Sequence, residues 1–168
     1  MADVVIIGAG PAGIFAALEL TRQFSDLDIV IVEQGKDIAE RSRTGREMLV
    51  GWGGAGAYSD GKLTISTEVG GQLSTLLNDE ELMTLLEEVD RIYTSYEPGS
   101  GIFSVDPDDA GRISAQARLA GLVYIPTKVR HIGTENCYTI LKDMRDDLGS
   151  KVKLIFNTKA VGILEKDG

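Results

Sequence analysis

Apolar positions fall into distinct patterns along this chain. It opens with Val4-Val5-Ile6-Ile7, a continuous run of β-branched residues. Such a run predicts a strand buried on both faces, as in a parallel sheet. A glycine-rich turn covers 8–13. A helix is predicted over 14–24, with Phe15, Leu18 and Leu20 on its candidate inner face. Ile29-Val30-Ile31-Val32 predicts a second buried strand, ending at Glu33. Strand, turn, helix and strand in that order require a parallel pair joined by a crossover.

Downstream, Asp37 to Arg43 predicts a short helix. The stretch 51–61 is too rich in glycine for a helix or an ordinary strand. Asn78-Asp79 reads as a helix start. Leu82, Leu85, Leu86, Val89, Ile92, Tyr93 and Tyr96 follow at helical spacing until Pro98-Gly99 stops them. Asp106-Pro107 opens another helix that runs to about Leu119, and Leu122 to Ile125 predicts a short strand. Positions 137, 141, 144 and 148 form the stripe of a helix over Thr134 to Leu148, capped by Gly149. Val152 to Phe156 and Val161 to Leu164 predict strands. Lys166-Asp167-Gly168 reads as a hairpin turn whose second strand is missing, so the fold reads as incomplete at its C-terminal end.

Composition narrows the function. The formal net charge is -9 over 168 residues. That argues against binding nucleic acid or an anionic membrane, both of which need basic patches. Cys137 and His131 are the only residues of their types, so no disulfide within the chain and no cysteine-based metal site is expected. No apolar run approaches the ~20 residues needed to span a bilayer. Met1-Ala2-Asp3 has no basic signal region, which makes the cytoplasm the expected compartment.

The most informative motif is Gly8-Ala9-Gly10-Pro11-Ala12-Gly13, a G-x-G-x-x-G between a strand and a helix, with Glu33 at the end of the next strand. Gly8 permits the tight turn, Gly10 lets a pyrophosphate approach bare backbone, and Gly13 allows close packing of helix on sheet. Pro11 stiffens the first turn without forfeiting a hydrogen bond. The helix N-terminus presents free N–H groups to phosphate oxygens. Glu33 is expected to accept bonds from both hydroxyls of an adenosine ribose and to repel a 2′-phosphate. The motif alone does not separate FAD from NAD. A second glycine-rich loop some twenty residues later favours FAD, whose extended form needs further backbone contacts.

At that second loop the chain resembles a specific family, the uncharacterised FAD-dependent dehydrogenases of the glutathione-reductase-like flavoprotein superfamily. The segments that carry the resemblance are Asp3 to Ala17, Val30 to Glu33, Gly51 to Leu63 and Lys128 to Cys137. It implies an α/β fold with a Rossmann-like FAD-binding parallel sheet, interrupted by an inserted helical or cap region. The implied division is 1–71 for the first part of the FAD domain, about 72–150 for the insertion, and 151–168 for returning strands. The resemblance implies that the stretch at Thr158-Lys159-Ala160-Val161 meets the adenine. The family's later Ala-Thr-Gly-like and Gly-Asp motifs do not occur in this sequence.

The expected cofactor set is Gly8, Gly10, Pro11, Ala12, Gly13, Glu33, Gln34, Gly53, Gly54, Ala55, Gly56, Ser59, Asp60, Gly61, Lys62 and Ala160. Lys62, near the flavin's N1/C2 carbonyl, and His131, as a proton donor or acceptor, are the candidates for chemistry. The plainer alternatives are a solvated lysine and a structural histidine before a helix. Thr134, Glu135 and Asn136 either contact substrate or belong to a helix cap. Trp52 either stacks near the ring or packs, and Cys137 reads as a core residue. The expected function is FAD-dependent oxidation or reduction of an unknown small molecule or electron carrier. The competing readings are a non-catalytic nucleotide-binding fragment and an NAD-binding oxidoreductase.

Overall fold

A computed structural model describes residues 2–42 and 44–165. In chain order its main elements are β1 (Val4–Ile7), α1 (Pro11–Gln23), β2 (Ile29–Val32), β3 (Lys62–Ile65), α2 (Asp79–Tyr96), β4 (Gly101–Phe103), α3 (Pro107–Leu119), β5 (Lys128–His131), α4 (Thr134–Gly149) and β6 (Lys153–Ile155). Short 3-10 turns occupy Ile38–Glu40, Gly45–Met48, Gly54–Tyr58 and Leu73–Thr75. The chain divides into two compact units, one of residues 1–60 and 134–168, the other of 61–133.

The first unit holds a parallel sheet in the order β1-β2-β6. Val4 lies opposite Ile29, Ile7 opposite Val32, and Val32 opposite Ile155. The predicted βαβ is therefore present. The helix starts at Pro11 rather than residue 14, because proline's fixed φ suits the first helical position. Its buried residues are Ile14 and Ala17, while Phe15, Leu18 and Leu20 are only partly covered. The core joins these to Ile29 and Ile31 of β2 and to Ile140, Met144 and Leu148 of α4. Each large aliphatic buried in this way contributes roughly 1.5–3 kcal/mol.

Burial of β1 on both faces does not hold. Val5 and Ile7 are 56% and 57% exposed, since no described element covers that side of the sheet. Helix α4 packs with the first unit. The Trp52 indole N–H donates to the Leu141 carbonyl at 2.7 Å, and Arg145 pairs with Asp37 at 2.7 Å. Ile140 joins the predicted stripe at 137, 141, 144 and 148, one continuous face at helical spacing.

The second unit holds an antiparallel sheet in the order β3-β5-β4. Its helix α2 starts where predicted. The Asn78 side chain accepts from the Glu81 amide, and the Glu81 carboxylate accepts from the Asn78 amide, a complete capping box. Asp90 of α2 pairs with Arg130 of β5, whose guanidinium also donates to the Ser100 carbonyl at 2.6 Å. Both charged side chains are largely buried. Helix α3 has the predicted bounds but buries no residue.

Two predicted strands are not formed. Leu122 to Ile125 has no neighbouring strand, and Leu122 and Val123 are 66% and 88% exposed. Val161 to Leu164 is likewise irregular and exposed. A short apolar run is a strand only when another strand supplies its hydrogen bonds. The expected helix after Asp37 is a 3-10 turn over Ile38–Glu40, and Arg43 lies outside the described residues. The turn expected at Lys166-Asp167-Gly168 also lies outside them.

Candidate nucleotide-binding site

The first glycine loop leaves β1 at Gly8, whose φ of +100° only glycine adopts readily. Its N–H donates to the Val32 carbonyl at 2.8 Å. Gly10 is the N-cap of α1, with no side-chain cap and no acidic residue in the first turn. Such a helix end favours an anion. The glycines differ in what a Cβ would meet. At Gly13 it would overlap the Gly8 carbonyl oxygen and crowd Ile6, so this glycine serves packing. At Gly10 it would meet nothing within 4 Å, and the φ of −76° is ordinary. The protein's own atoms therefore give no reason for a glycine there.

Glu33 stands beside this loop and is 5% exposed. One carboxylate oxygen, Oε2, accepts from the Ala9 amide at 2.7 Å. The other, Oε1, accepts from Gly35 and Gly51 at 2.7 and 2.9 Å. A carboxylate offers about four acceptor positions, so one remains, on Oε2. Gln34, next to Glu33, is exposed.

The second glycine loop lies directly against the first. The Gly53 amide donates to the Ala9 carbonyl at 2.7 Å. A Cβ on Gly54 would stand 3.5 Å from the Gly10 Cα, and one on Gly56 would stand 3.7 Å from Pro11 Cγ. Ala55, Gly56, Ser59 and Asp60 are exposed. Trp52 is fully buried, with its N–H engaged and its ring edge-on to Phe156, so it packs rather than stacks on a ligand. From β6 the chain returns to the same place. The Asn157 amide donates to the Gly35 carbonyl and that of Thr158 to the Glu33 carbonyl, each at 2.9 Å. Ala160 follows two residues later and is exposed.

Gly61, Lys62 and His131 belong to the second unit. Gly61 is buried with φ +68°, and a Cβ on it would meet the Gly133 carbonyl at 2.6 Å, which is a packing reason for glycine. Lys62 and His131 are directly opposite each other on β3 and β5, and both are exposed. Directly opposed residues of an antiparallel pair share a face. The His131 ring lies edge-on to Phe103 at 6.2 Å. Thr134, Glu135 and Asn136 form the first turn of α4. Cys137 is buried as expected. Burial pushes its thiol pKa up, against a weak contact with Ser59 Oγ at 4.0 Å, so it is a core residue and not an activated nucleophile.

Three participants were not singled out from the sequence. Gly35 and Gly51 supply amides to Glu33, and Arg41 binds the second loop through its carbonyls. A glycine two residues after the strand-end acid was a readable signal for Gly35. Nothing in the sequence marked Arg41.

Fold and loops together define a dinucleotide-binding βαβ module of flavoprotein type. The chain belongs to the FAD-dependent oxidoreductase (DAO) family, whose model matches residues 3–137. An uncharacterised protein of Clostridium beijerinckii is 30% identical across 98% of this chain and 26% of its own length. A putative flavin-containing monoamine oxidase of Mycobacterium tuberculosis is 45% identical over 73 residues, 40% of this chain and 15% of that protein. Among solved structures, L-amino acid deaminase from Proteus vulgaris aligns with all of this chain and 42% of its own, at 16% identity and a TM-score of 0.45. The chain thus spans about a quarter of the length of the Clostridium relative. Among the described residues no helix is long and apolar enough to cross a membrane.

Proposed function

We propose that this chain is the FAD-binding portion of an oxidoreductase that passes a hydride or electrons between flavin and a small molecule. The observation that carries the reading is Gly10. Its missing Cβ faces open space at an uncapped helix end, next in sequence to Ala9, whose amide donates to Glu33. The amides of Ala12 and Gly13 are suited to the pyrophosphate, and the open position on Glu33 Oε2 to one ribose hydroxyl. The same carboxylate repels a 2′-phosphate, which disfavours NADP. Gln34 and Ala160 flank the adenosine end in this reading. Gly53, Gly54, Ala55, Gly56, Ser59 and Asp60 line the flavin half. When bound, FAD supplies the two-electron chemistry, and the protein positions it.

The narrower placement among the uncharacterised dehydrogenases of the glutathione-reductase-like superfamily is supported by Gly51 to Leu63 and Lys128 to Cys137. The electron donor or acceptor is assigned only as a small molecule. Because one relative is named for monoamines, amines are the first class to screen. A cytoplasmic location is supported by the lone, buried cysteine. The test is to purify the protein, record its visible absorbance, and identify the nucleotide released on denaturation. FAD is expected; NAD in its place would overturn the reading.

A further inference from the structure

Among the described residues between Glu33 and Gly51 there is no strand and no α-helix, only the 3-10 turns at Ile38–Glu40 and Gly45–Met48. An excursion of this kind closes a large loop at an entropic cost, so something must secure its far end. Arg41 sits in it and reaches the second glycine loop. Its Nη1 donates to the Trp52 carbonyl at 2.6 Å and to the Gly54 carbonyl at 2.8 Å. Its Nη2 donates to the Met48 carbonyl at 3.2 Å. The guanidinium carbon lies 4.9 Å from the centroid of the Tyr58 ring, at the end of the same loop. A Cβ on Gly51 would stand 2.9 Å from Arg41 Cδ, so the glycine makes room for the arginine stem. A planar fork with several donors suits this set of carbonyls, and an ammonium point charge does not.

We infer that Arg41 is a positioning residue: it holds the second glycine loop in place and thereby sets the grip on the flavin half of the cofactor, not on its adenosine half. The inference rests on the FAD reading for its second clause only. In that reading adenosine contacts fall to Glu33 and the first loop, and the flavin half to the loop that Arg41 holds. Three carbonyl bonds and the ring contact of Arg41 lie on residues 48–58.

The experiment compares the wild type with Arg41→Ala and Arg41→Lys. Amide hydrogen exchange is read in ligand-free protein, and affinities for FAD and for ADP are measured by titration. In Arg41→Ala, exchange over 51–58 rises while that of α4 and the first turn of α1 does not. FAD binding weakens at least tenfold, ADP binding less than twofold, and Arg41→Lys recovers only part of the loss. Unchanged exchange over 51–58 in both variants overturns the inference whatever the ligand does. An equal loss of FAD and ADP also overturns it, since that is the mark of general unfolding. A wild type that binds ADP but not FAD would instead sink the flavin reading, and the exchange comparison would still decide whether Arg41 holds the loop.

Discussion

The two glycine-rich loops of the first unit look alike in sequence, yet their glycines answer to different demands. In the first, Gly8 and Gly13 are required by backbone geometry and packing, and Gly10 between them is required by neither. In the second, Gly51 and Gly53 have positive φ and close neighbours, while Gly56 has ordinary φ and only a 3.7 Å contact. A glycine that the fold explains says nothing about a ligand. A glycine that the fold does not explain, in a wall where two loops meet, marks where something else comes close. The comparison breaks if substitutions at these two kinds of position behave alike.

The largest effect is expected at Gly13. In Gly13→Ala the new methyl overlaps the Gly8 carbonyl oxygen, a backbone atom that cannot swing aside. Overpacking of this kind costs on the order of 3 kcal/mol. Urea unfolding of the ligand-free protein should show a much lower midpoint at unchanged slope. A variant as stable as wild type would mean that α1 and β1 are not packed as described. Trp52→Phe tests the anchor of the second loop on α4. It removes the indole N–H from the Leu141 carbonyl and leaves space in a fully buried site, for a loss of about 2 kcal/mol. A ring that stacked on the cofactor would instead leave ligand-free stability unchanged and alter the flavin spectrum.

Gly10→Val is the counterpart of Gly13→Ala three residues away. The open space at Gly10 should absorb the side chain, so ligand-free stability stays within about 0.5 kcal/mol of wild type. Nucleotide affinity should fall by at least about tenfold, or 1.4 kcal/mol, because the isopropyl group fills the space reserved for phosphate. Calorimetric titration with FAD and ADP reads this directly. Unaltered binding would put the phosphates elsewhere.

What the sequence disclosed follows from how local each feature is. The βαβ was legible because its strands, its turn and its acid lie within 30 residues and obey one spacing. Helix α2 was legible from Asn78, Glu81 and its apolar spacing, all local signals. The strands β3, β4 and β5 were not, because they are short and each is defined by its pairing with distant chain. Arg130, the most buried residue of β5, looks like a surface residue until Asp90, 40 positions earlier, is placed against it. Leu122 to Ile125 and Val161 to Leu164 misled for the converse reason: they have strand composition but no partner. At the site, Glu33 was readable as an acid at a strand end. Its three amide partners were not, since two come from turns whose geometry depends on Gly35 and Gly51 lying back to back.

The smallest expected effect is also the finest test of the comparison. Gly56 lies in the 3-10 turn Gly54–Tyr58, with no positive φ and no close neighbour. Alanine fits that conformation and restricts the unfolded chain, so Gly56→Ala should raise ligand-free stability by about 0.4–1 kcal/mol. If the flavin half lies along this loop, the same methyl intrudes on it, and FAD affinity should fall a few-fold while ADP affinity does not. Thermal unfolding with and without each nucleotide separates the two effects. A gain in stability with FAD binding untouched would move the flavin away from Gly56. A loss of ligand-free stability would place Gly56 with Gly13, among the glycines that the fold itself demands, and would erase the contrast within the second loop.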